Sequence, residues 1–461
     1  MIEKEKLFGT DGIRGTPGIY PLTDGMIYKI GNGIAHYIIG TVPELKAPLP
    51  KNKFKVVIGK DTRLSGHKIE AFLADAINHR GIDVLLVGII TTPGLSFLLK
   101  NLKADMGIMI SASHNKASDN GIKFFNEQGQ KLTTKDEERI EDIIFDSLTH
   151  DISNHDHGNT GNVRTIKSSQ SKYVSFLCST LQGLDLKGMR IALDCAFGAA
   201  SPFADKLFKK LGAKVYSIND TPQGDNINNG GAIDPSFLRA LVQKTGADIG
   251  IAVDGDGDRG ILVNEKGDVL DGDFTMAIIA KYLLKQNMLP KNTIVATVMS
   301  NYGLKSCIEE CGGKIISTDV GDKFVLEALL KHNLNLGGEQ SGHIIFLNYN
   351  STPDGLLTAL QVLKIMKETG CSLSELSKCM TKFPQILVNV KVKERRPFED
   401  MPLLNERLQI FNTQLKGNGR ILLRYSGTEN LARVMVEGRD KDLIENIAHS
   451  LANEIQKEIG E

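Results

Sequence analysis

The sequence predicts an α/β protein built from one repeated strand–helix layer and ended by a smaller α+β domain. Three observations carry that expectation. Short apolar runs alternate with helical patterns along most of the chain, the signature of βαβ units. The strings Ala104-Asp105-Met106-Gly107-Ile108 and Ala247-Asp248-Ile249-Gly250-Ile251 match almost letter for letter, so the unit recurs. From about Pro384 the order becomes strand, helix, strand, strand, helix, and the alternation ends. A chain of 461 residues exceeds a single core and calls for roughly three or four domains. Boundaries are expected at 1–165, 166–270, 271–380 and 381–461.

In the first unit, strands are expected over Lys55–Asp61, Val84–Ile89, Met106–Ala112 and Ile122–Asn126, with a helix over His67–Arg80. His150–Ser171, rich in Ser, Asn, His and Gly, reads as a linker. The pattern restarts with strands Met189–Cys195, Lys214–Asn219 and Asp248–Asp254 around helices Pro202–Leu211 and Pro235–Thr245. It restarts again with strands Thr293–Met299, Lys314–Asp319 and Leu334–Leu336 around helices Leu304–Cys311 and Lys323–His332. The last domain should hold strands Gln385–Val392, Gly419–Tyr425 and Leu431–Glu437, and helices Pro402–Gln414 and Asp440–Lys457.

Composition removes several function classes. Lys+Arg and Asp+Glu both number 55, so no field of one sign marks a nucleic-acid or membrane partner. No apolar run approaches the roughly 20 residues that span a bilayer, and the charged opening Met1-Ile2-Glu3-Lys4-Glu5-Lys6 lacks a signal-peptide core. The six cysteines are scattered, and Cys307 and Cys311, the closest pair, have no partners to complete a zinc site. Free thiols in a reducing cytoplasm are expected.

The chemistry centres on Asp254-Gly255-Asp256-Gly257-Asp258-Arg259. In an extended strand the outer aspartates would lie roughly 13 Å apart. Glycine lets the backbone curl, so the three carboxylates can converge. Each pair about 4 Å apart then repels by roughly 4 kcal/mol at an effective dielectric of 20. A divalent cation removes that conflict, and hard oxygen ligands favour Mg²⁺. The string nearly fits an EF-hand loop, but its sixth position is Arg259 instead of glycine and its flanks read as strands. It also fits Gly-x-Gly-x-x-Gly, but a strand follows where a helix is required.

In open α/β sheets ligands sit beyond the carboxyl ends of strands, and three polar loops occupy that position in successive repeats. Ser113, followed by His114, ends the first. A bare serine is a poor nucleophile, and no Gly-x-Ser-x-Gly elbow is present. A phosphorylated Ser113 would instead add oxygen ligands to the metal. The aspartates end the second loop. Gly337-Gly338-Glu339-Gln340-Ser341-Gly342-His343 ends the third, and Glu339, Ser341 and His343 offer an acceptor and donors for vicinal sugar hydroxyls. In the tail, Arg424-Tyr425-Ser426-Gly427-Thr428-Glu429 with Arg433 offers guanidinium forks and backbone N–H groups to a phosphate.

Four ordered motifs, Ser-Ala-Ser-His-Asn (111–115), Asp-Gly-Asp-Gly-Asp-Arg (254–259), Gly-Glu-Gln-Ser-Gly-His (338–343) and Arg-Tyr-Ser-Gly-Thr-Glu (424–429), give the whole chain a resemblance to the α-D-phosphohexomutases. Gly9-Thr10-Asp11-Gly12-Ile13-Arg14-Gly15, Gly59–Gly66, Asp119–Phe125 and Arg433–Gly438 are most similar to the bacterial branch acting on glucosamine phosphates. The resemblance implies four domains around a central cleft: phosphoserine-bearing, metal-binding, sugar-binding and phosphate-binding in chain order. It implies interconversion of glucosamine 6-phosphate and glucosamine 1-phosphate through phosphorylated Ser113 and a sugar bisphosphate. Mg²⁺ would be held by the Ser113 phosphate, Asp254, Asp256 and Asp258. Glu339 and Ser341 would hold hydroxyls, Arg424, Ser426, Gly427, Thr428 and Arg433 the distal phosphate, and Lys323 a further substrate contact. Arg14 and Arg259 would supply charge, and His114 and Lys123 would handle protons. A homodimer is also implied. Lys116 and Asn430 stand where the family carries proline, which loosens two turns without removing a chemical group. The same chemistry on glucose or mannose phosphates, or a non-catalytic sugar-phosphate binder, are the alternatives.

Overall fold

The computed structural model of the chain describes residues 6–9, 11–45, 54–149, 160–426 and 429–461. They fall into two compact units, Met1–Met299 with Ile315–Ser377, and Ser300–Lys314 with Lys378–Glu461. No described helix is long and apolar enough to cross a membrane.

The first unit contains three sheets. The first joins β1 (Ile13–Gly15), β2 (Lys55–Lys60), β3 (Asp83–Ile89), β4 (Met106–Ile110), β5 (Asn120–Asn126) and β6 (Val163–Thr165) in the order β1-β5-β4-β2-β3-β6. The second joins β7 (Arg190–Asp194), β8 (Lys214–Ile218), β9 (Ile249–Val253), β10 (Gly260–Asn264) and β11 (Val269–Leu270) in the order β11-β10-β9-β7-β8. The third joins β12 (Thr293–Thr297), β13 (Lys314–Thr318), β14 (Leu336–Gly338) and β15 (Ile344–Phe346) in the order β13-β12-β14-β15.

One arrangement recurs in all three. A strand (β2, β7, β12) pairs in parallel with another (β4, β9, β14), which turns back into an antiparallel neighbour (β5, β10, β15). The fully buried runs of β4 and β9 show why these segments are unbroken apolar strings, since helices cover both faces of a parallel sheet. Each polar loop singled out from the sequence is the turn from that parallel strand into its antiparallel partner. The expected repeat is therefore present, and it puts Ser113, the aspartates and Glu339 at equivalent places in successive units.

The expected linker is only partly visible. Residues 150–159 lie outside the described residues, but Val163–Thr165 extends the first sheet beside β3 in parallel, and Ser169 opens a helix to Ser179. Its polar side chains fit because β6 is an exposed edge.

In the second unit, β16 (Gln385–Lys391), β17 (Gly419–Tyr425) and β18 (Leu431–Gly438) form an antiparallel sheet with β18 central. Val390, Val434 and Val436 pack against Leu404, Ile447, Leu451 and Ile455 from helices Pro402–Leu415 and Lys441–Ile459, the expected α+β layer. Residues 300–314 belong here because Glu437, fully buried, accepts hydrogen bonds from Asn301 Nδ2 and Tyr302 N, both at 3.1 Å, and from Arg420 Nε at 2.7 Å.

Gly272 fixes the third loop. Its N–H donates to Gln340 O at 2.9 Å, and a Cβ there would lie 2.0 Å from Glu339 O. Gly272→Ala is expected to displace the loop and to cost about 1–3 kcal/mol, as overpacking does. Urea unfolding checks this, and an unchanged midpoint would contradict it.

Candidate active site

The three loops meet. Ser113 sits at φ +50, a left-handed conformation uncommon for a side-chain-bearing residue. Its side chain is buried, and its Oγ donates to Asp254 Oδ2 at 2.9 Å. The loop is held by groups that strand periodicity does not reveal. Arg63, fully buried, pairs through Nε with Asp61 Oδ2 at 3.0 Å. Its Nη2 donates to Ser113 O and Asn115 O at 3.0 and 2.9 Å, and its Nη1 to Lys116 O and Asp119 O. Asn228 Nδ2 donates to the Ser113 and Asn115 carbonyls at 2.8 and 2.9 Å. The turn that Lys116 leaves without a proline is thus fastened by a guanidinium. Neither Arg63 nor Asn228 was expected to serve the site, although the charged string Asp61-Thr62-Arg63 directly after a strand was a visible signal.

Asp254, Asp256 and Asp258 are buried, and each offers an oxygen within 4.8 Å of the others. The two glycines between them do different work. Gly257 adopts φ +73, whereas Gly255 is needed for space, since a Cβ there would lie 2.7 Å from Ser113 O. Burial, then Asp258 and Asp256, push the Asp254 carboxyl up to about 7. Asp256 Oδ2 accepts from Thr92 Oγ1 at 2.6 Å and Lys123 Nζ at 2.9 Å, but its Oδ1 is buried without a hydrogen-bond partner. A buried carboxylate oxygen with no donor is costly. An all-oxygen donor set with one idle atom fits a hard divalent cation.

Lys123 was expected to handle protons. Burial alone would lower its ammonium, but Asp11, Asp256 and Asp258, at 3.0, 2.9 and 3.5 Å, hold it well above the usual lysine range. It is a fixed cation, because three carboxylates bind the proton too firmly for release near neutrality. His114 remains a proton acceptor. Burial, followed by Arg259 and Arg14, pulls its imidazole down to about 4, so it is neutral at pH 7, with Nδ1 3.4 Å from Ser113 Oγ.

A cavity of about 550 Å³ opens over these groups, lined by Arg14, Ser113, His114, Arg259, Glu339 and Ser341 among others. Arg14 Nη1 donates to Asn115 Oδ1 at 3.2 Å and its Nη2 pairs with Asp11. His343 lies between carboxylates, with Nδ1 3.0 Å from Glu339 Oε2 and Nε2 3.1 Å from Asp258 Oδ1. Burial opposes its charge, but Asp258 and the two hydrogen bonds raise it to about 10. Arg259 Nε also donates toward the same Nε2 at 3.1 Å, so the ring is wedged between two carboxylates and a guanidinium. His343 therefore orients Glu339 more than it offers a free donor to a sugar.

Of the predicted substrate contacts within the first unit, Lys323 does not line this cavity. Its amine lies 3.0 Å from Thr134 Oγ1 and 3.4 Å from Glu137 Oε2, and the wall at this point is Asp322. In the second unit, Arg424 and Arg433 are direct partners across β17 and β18. Like charges so placed are unfavourable unless an anion joins them. Arg433 Nη2 donates to Ser426 Oγ at 3.4 Å, and its buried Nε has no partner. Gly427 and Thr428 lie outside the described residues.

Comparison with known families agrees with this geometry. The models of the phosphoglucomutase/phosphomannomutase family match in sequence order: alpha/beta/alpha domain I over residues 5–150, domain II over 171–267, domain III over 271–383 and the C-terminal domain over 387–454. The chain belongs to this family. It is 45% identical over 458 residues, 99% of either chain, to the phosphoglucosamine mutase of Geobacter sp. (strain M21). Its fold matches a phosphoglucomutase/phosphomannomutase family protein from Burkholderia thailandensis with a TM-score of 0.80 at 23% identity, covering 99% of this chain and 98% of that one. It also matches Aspergillus fumigatus N-acetylphosphoglucosamine mutase, solved with GlcNAc-6P and magnesium, with a TM-score of 0.65 at 18% identity over 98% and 95% of the two chains.

Replacing Arg63 with methionine leaves Asp61 buried without its cation. Arg63→Met should cost about 3–5 kcal/mol, the usual result of removing one partner of a buried pair. Chemical denaturation checks it, and a loss below about 1 kcal/mol would contradict the role given to the guanidinium.

Proposed function

We propose that this phosphohexomutase interconverts glucosamine 6-phosphate and glucosamine 1-phosphate through a phosphorylated Ser113 and a sugar bisphosphate. The observation that carries the proposal is the junction of Ser113 with Asp254. A hydroxyl on a left-handed turn touches one of three crowded carboxylates at the floor of a cavity of about 550 Å³, a usual size for a small ligand. The name carried by the 45% identical relative supports the amino sugar over glucose or mannose.

Phosphoryl transfer asks a protein for position and charge more than for covalent help. A sugar hydroxyl oxygen attacks the phosphorus on Ser113, the P–Oγ bond breaks, the hydroxyl proton passes to a neighbouring acceptor, and the departing Oγ takes up a proton to become the Ser113 hydroxyl. Neutral His114 is the acceptor at hand. The bisphosphate then turns over and returns its other phosphoryl group to the Ser113 hydroxyl, with the proton running the opposite way. Arg14, Arg259 and Lys123 supply fixed positive charge. Glu339, oriented by His343 and joined by Ser341, takes ring hydroxyls. Arg424, Ser426, Gly427, Thr428 and Arg433 are assigned the distal phosphate. Mg²⁺ held by Asp254, Asp256, Asp258 and the Ser113 phosphate would neutralise charge on the transferring oxygens.

Six cysteines scattered along the chain and a sugar-phosphate substrate suit a cytoplasmic enzyme, and the family resemblance supports a homodimer.

Intact-mass measurement of the purified protein should show a population one phosphoryl group heavier, absent from Ser113→Ala, and that variant should be inactive. An active Ser113→Ala variant would overturn the mechanism. Chelation should abolish turnover and added Mg²⁺ restore it, while Asp256→Asn should stay folded and inactive. Undiminished turnover in that variant would contradict the metal assignment. A coupled assay on glucosamine, glucose and mannose 6-phosphates tests the sugar.

A further inference from the structure

The cavity wall carries four carboxylates, Asp11, Asp258, Asp322 and Glu339, and their partners differ. Asp11 is held by three cations: Lys131 Nζ at 2.6 Å, Lys123 Nζ at 3.0 Å and the Arg14 guanidinium. Asp258 is divided between His343 and Lys123. Glu339 has both oxygens engaged, Oε1 by Gly321 N at 2.9 Å and Oε2 by His343. Asp322 is different. Both its oxygens meet one ammonium, Lys131 Nζ, at 2.9 and 2.8 Å, and Lys131 already serves Asp11. Glu339 also shares its cation, since His343 serves Asp258 as well, but the Gly321 N–H engages its second oxygen; among the described residues, Asp322 has the one shared ammonium for both oxygens. A carboxylate accepts about four hydrogen bonds, so capacity for a cation remains.

Its position beside the sugar loop is fixed. Gly321, at φ +131, turns the backbone through a region closed to side-chain-bearing residues, and its N–H is the donor to Glu339. Asp322, the next residue, opens the helix Asp322–His332. In a hexosamine phosphate, C1 and C6 carry the phosphoryl groups, so the vicinal hydroxyl pair for Glu339 and Ser341 is at C3 and C4. The amine at C2 is one carbon from that pair, and an amine of this kind is largely protonated near neutral pH.

We propose that Asp322 selects the amino sugar by pairing its carboxylate with the C2 ammonium. This deepens the functional reading above and rests on it. A glucose hydroxyl at C2 could donate a hydrogen bond to Asp322 but brings no charge, and an acetamido group has lost its charge as well. Discrimination is then a difference of affinities created by one ion pair.

The test is the ratio of kcat/KM for glucosamine 6-phosphate to that for glucose 6-phosphate, measured on one preparation so that any loss of folded enzyme cancels. The unaltered enzyme should favour the amino sugar. In Asp322→Asn, kcat/KM for glucosamine 6-phosphate should fall about ten- to a hundredfold, the range of one charge-assisted contact. Glucose 6-phosphate should change by less than about threefold, well under one such contact. Lys131→Gln removes the ammonium but keeps the Asp322 charge, so it should lower both substrates together and preserve the ratio. Equal losses on both sugars in Asp322→Asn would make the residue a latch for Lys131 and overturn the proposal while leaving the mutase reading intact. No preference for the amino sugar in the unaltered enzyme would overturn both.

Discussion

The site depends on the confinement of three carboxylates in one buried pocket. Asp254, Asp256 and Asp258 are each nearly or fully buried, and like charges at that spacing repel strongly in a medium of low dielectric. Their surroundings answer that repulsion one group at a time. Lys123 spans two of the aspartates and Asp11, His343 takes the far side of Asp258, and the Asp254 carboxyl rises to about 7. One oxygen, Asp256 Oδ1, is left over. Protein cations alone leave one oxygen of the cluster without a donor, and the three carboxylates form a set that could hold a metal ion.

The same confinement ties the three repeats together. Ser113 reaches Asp254, Thr92 reaches Asp256, and His343 reaches both Asp258 and Glu339. Apart from Thr92, which opens a helix, these groups stand on three strand-to-strand turns in equivalent topological positions, so a repeated layer has been specialised mainly by loop content. The first turn supplies a hydroxyl, the second supplies charge and the third supplies hydrogen-bond acceptors. On the proposed function, a general feature of α/β sheets, ligands beyond the strand ends, is put to phosphoryl transfer.

Much of this was legible in the sequence. The near-identical strings at 104–108 and 247–251 exposed the repeat because buried parallel strands tolerate few substitutions on either face. The alternating aspartates exposed the acidic cluster because the glycines between them let three carboxylates converge. Helix Asp24–Leu45 was not legible. Its glycines resemble breakers, yet a Cβ at Gly31 would lie 2.7 Å from Ala76 Cβ, and one at Gly33 would lie 2.5 Å from Ile144 Cγ1, so these glycines permit close helix packing. Arg63 was missed for a related reason. A fully buried arginine is exceptional, and only the carbonyls of a distant loop explain it. Lys323 shows the opposite failure: its motif suggested a substrate contact, but its amine faces Thr134 and Glu137, and the adjacent acid lines the wall.

The most direct measurement is the anomalous scattering of crystals grown with Mn²⁺ in place of Mg²⁺. The account predicts one strong peak among Asp254, Asp256 and Asp258, about 2 Å from an oxygen of each and beside the oxygen of Ser113. No peak between these carboxylates, or one held by other residues, would contradict it.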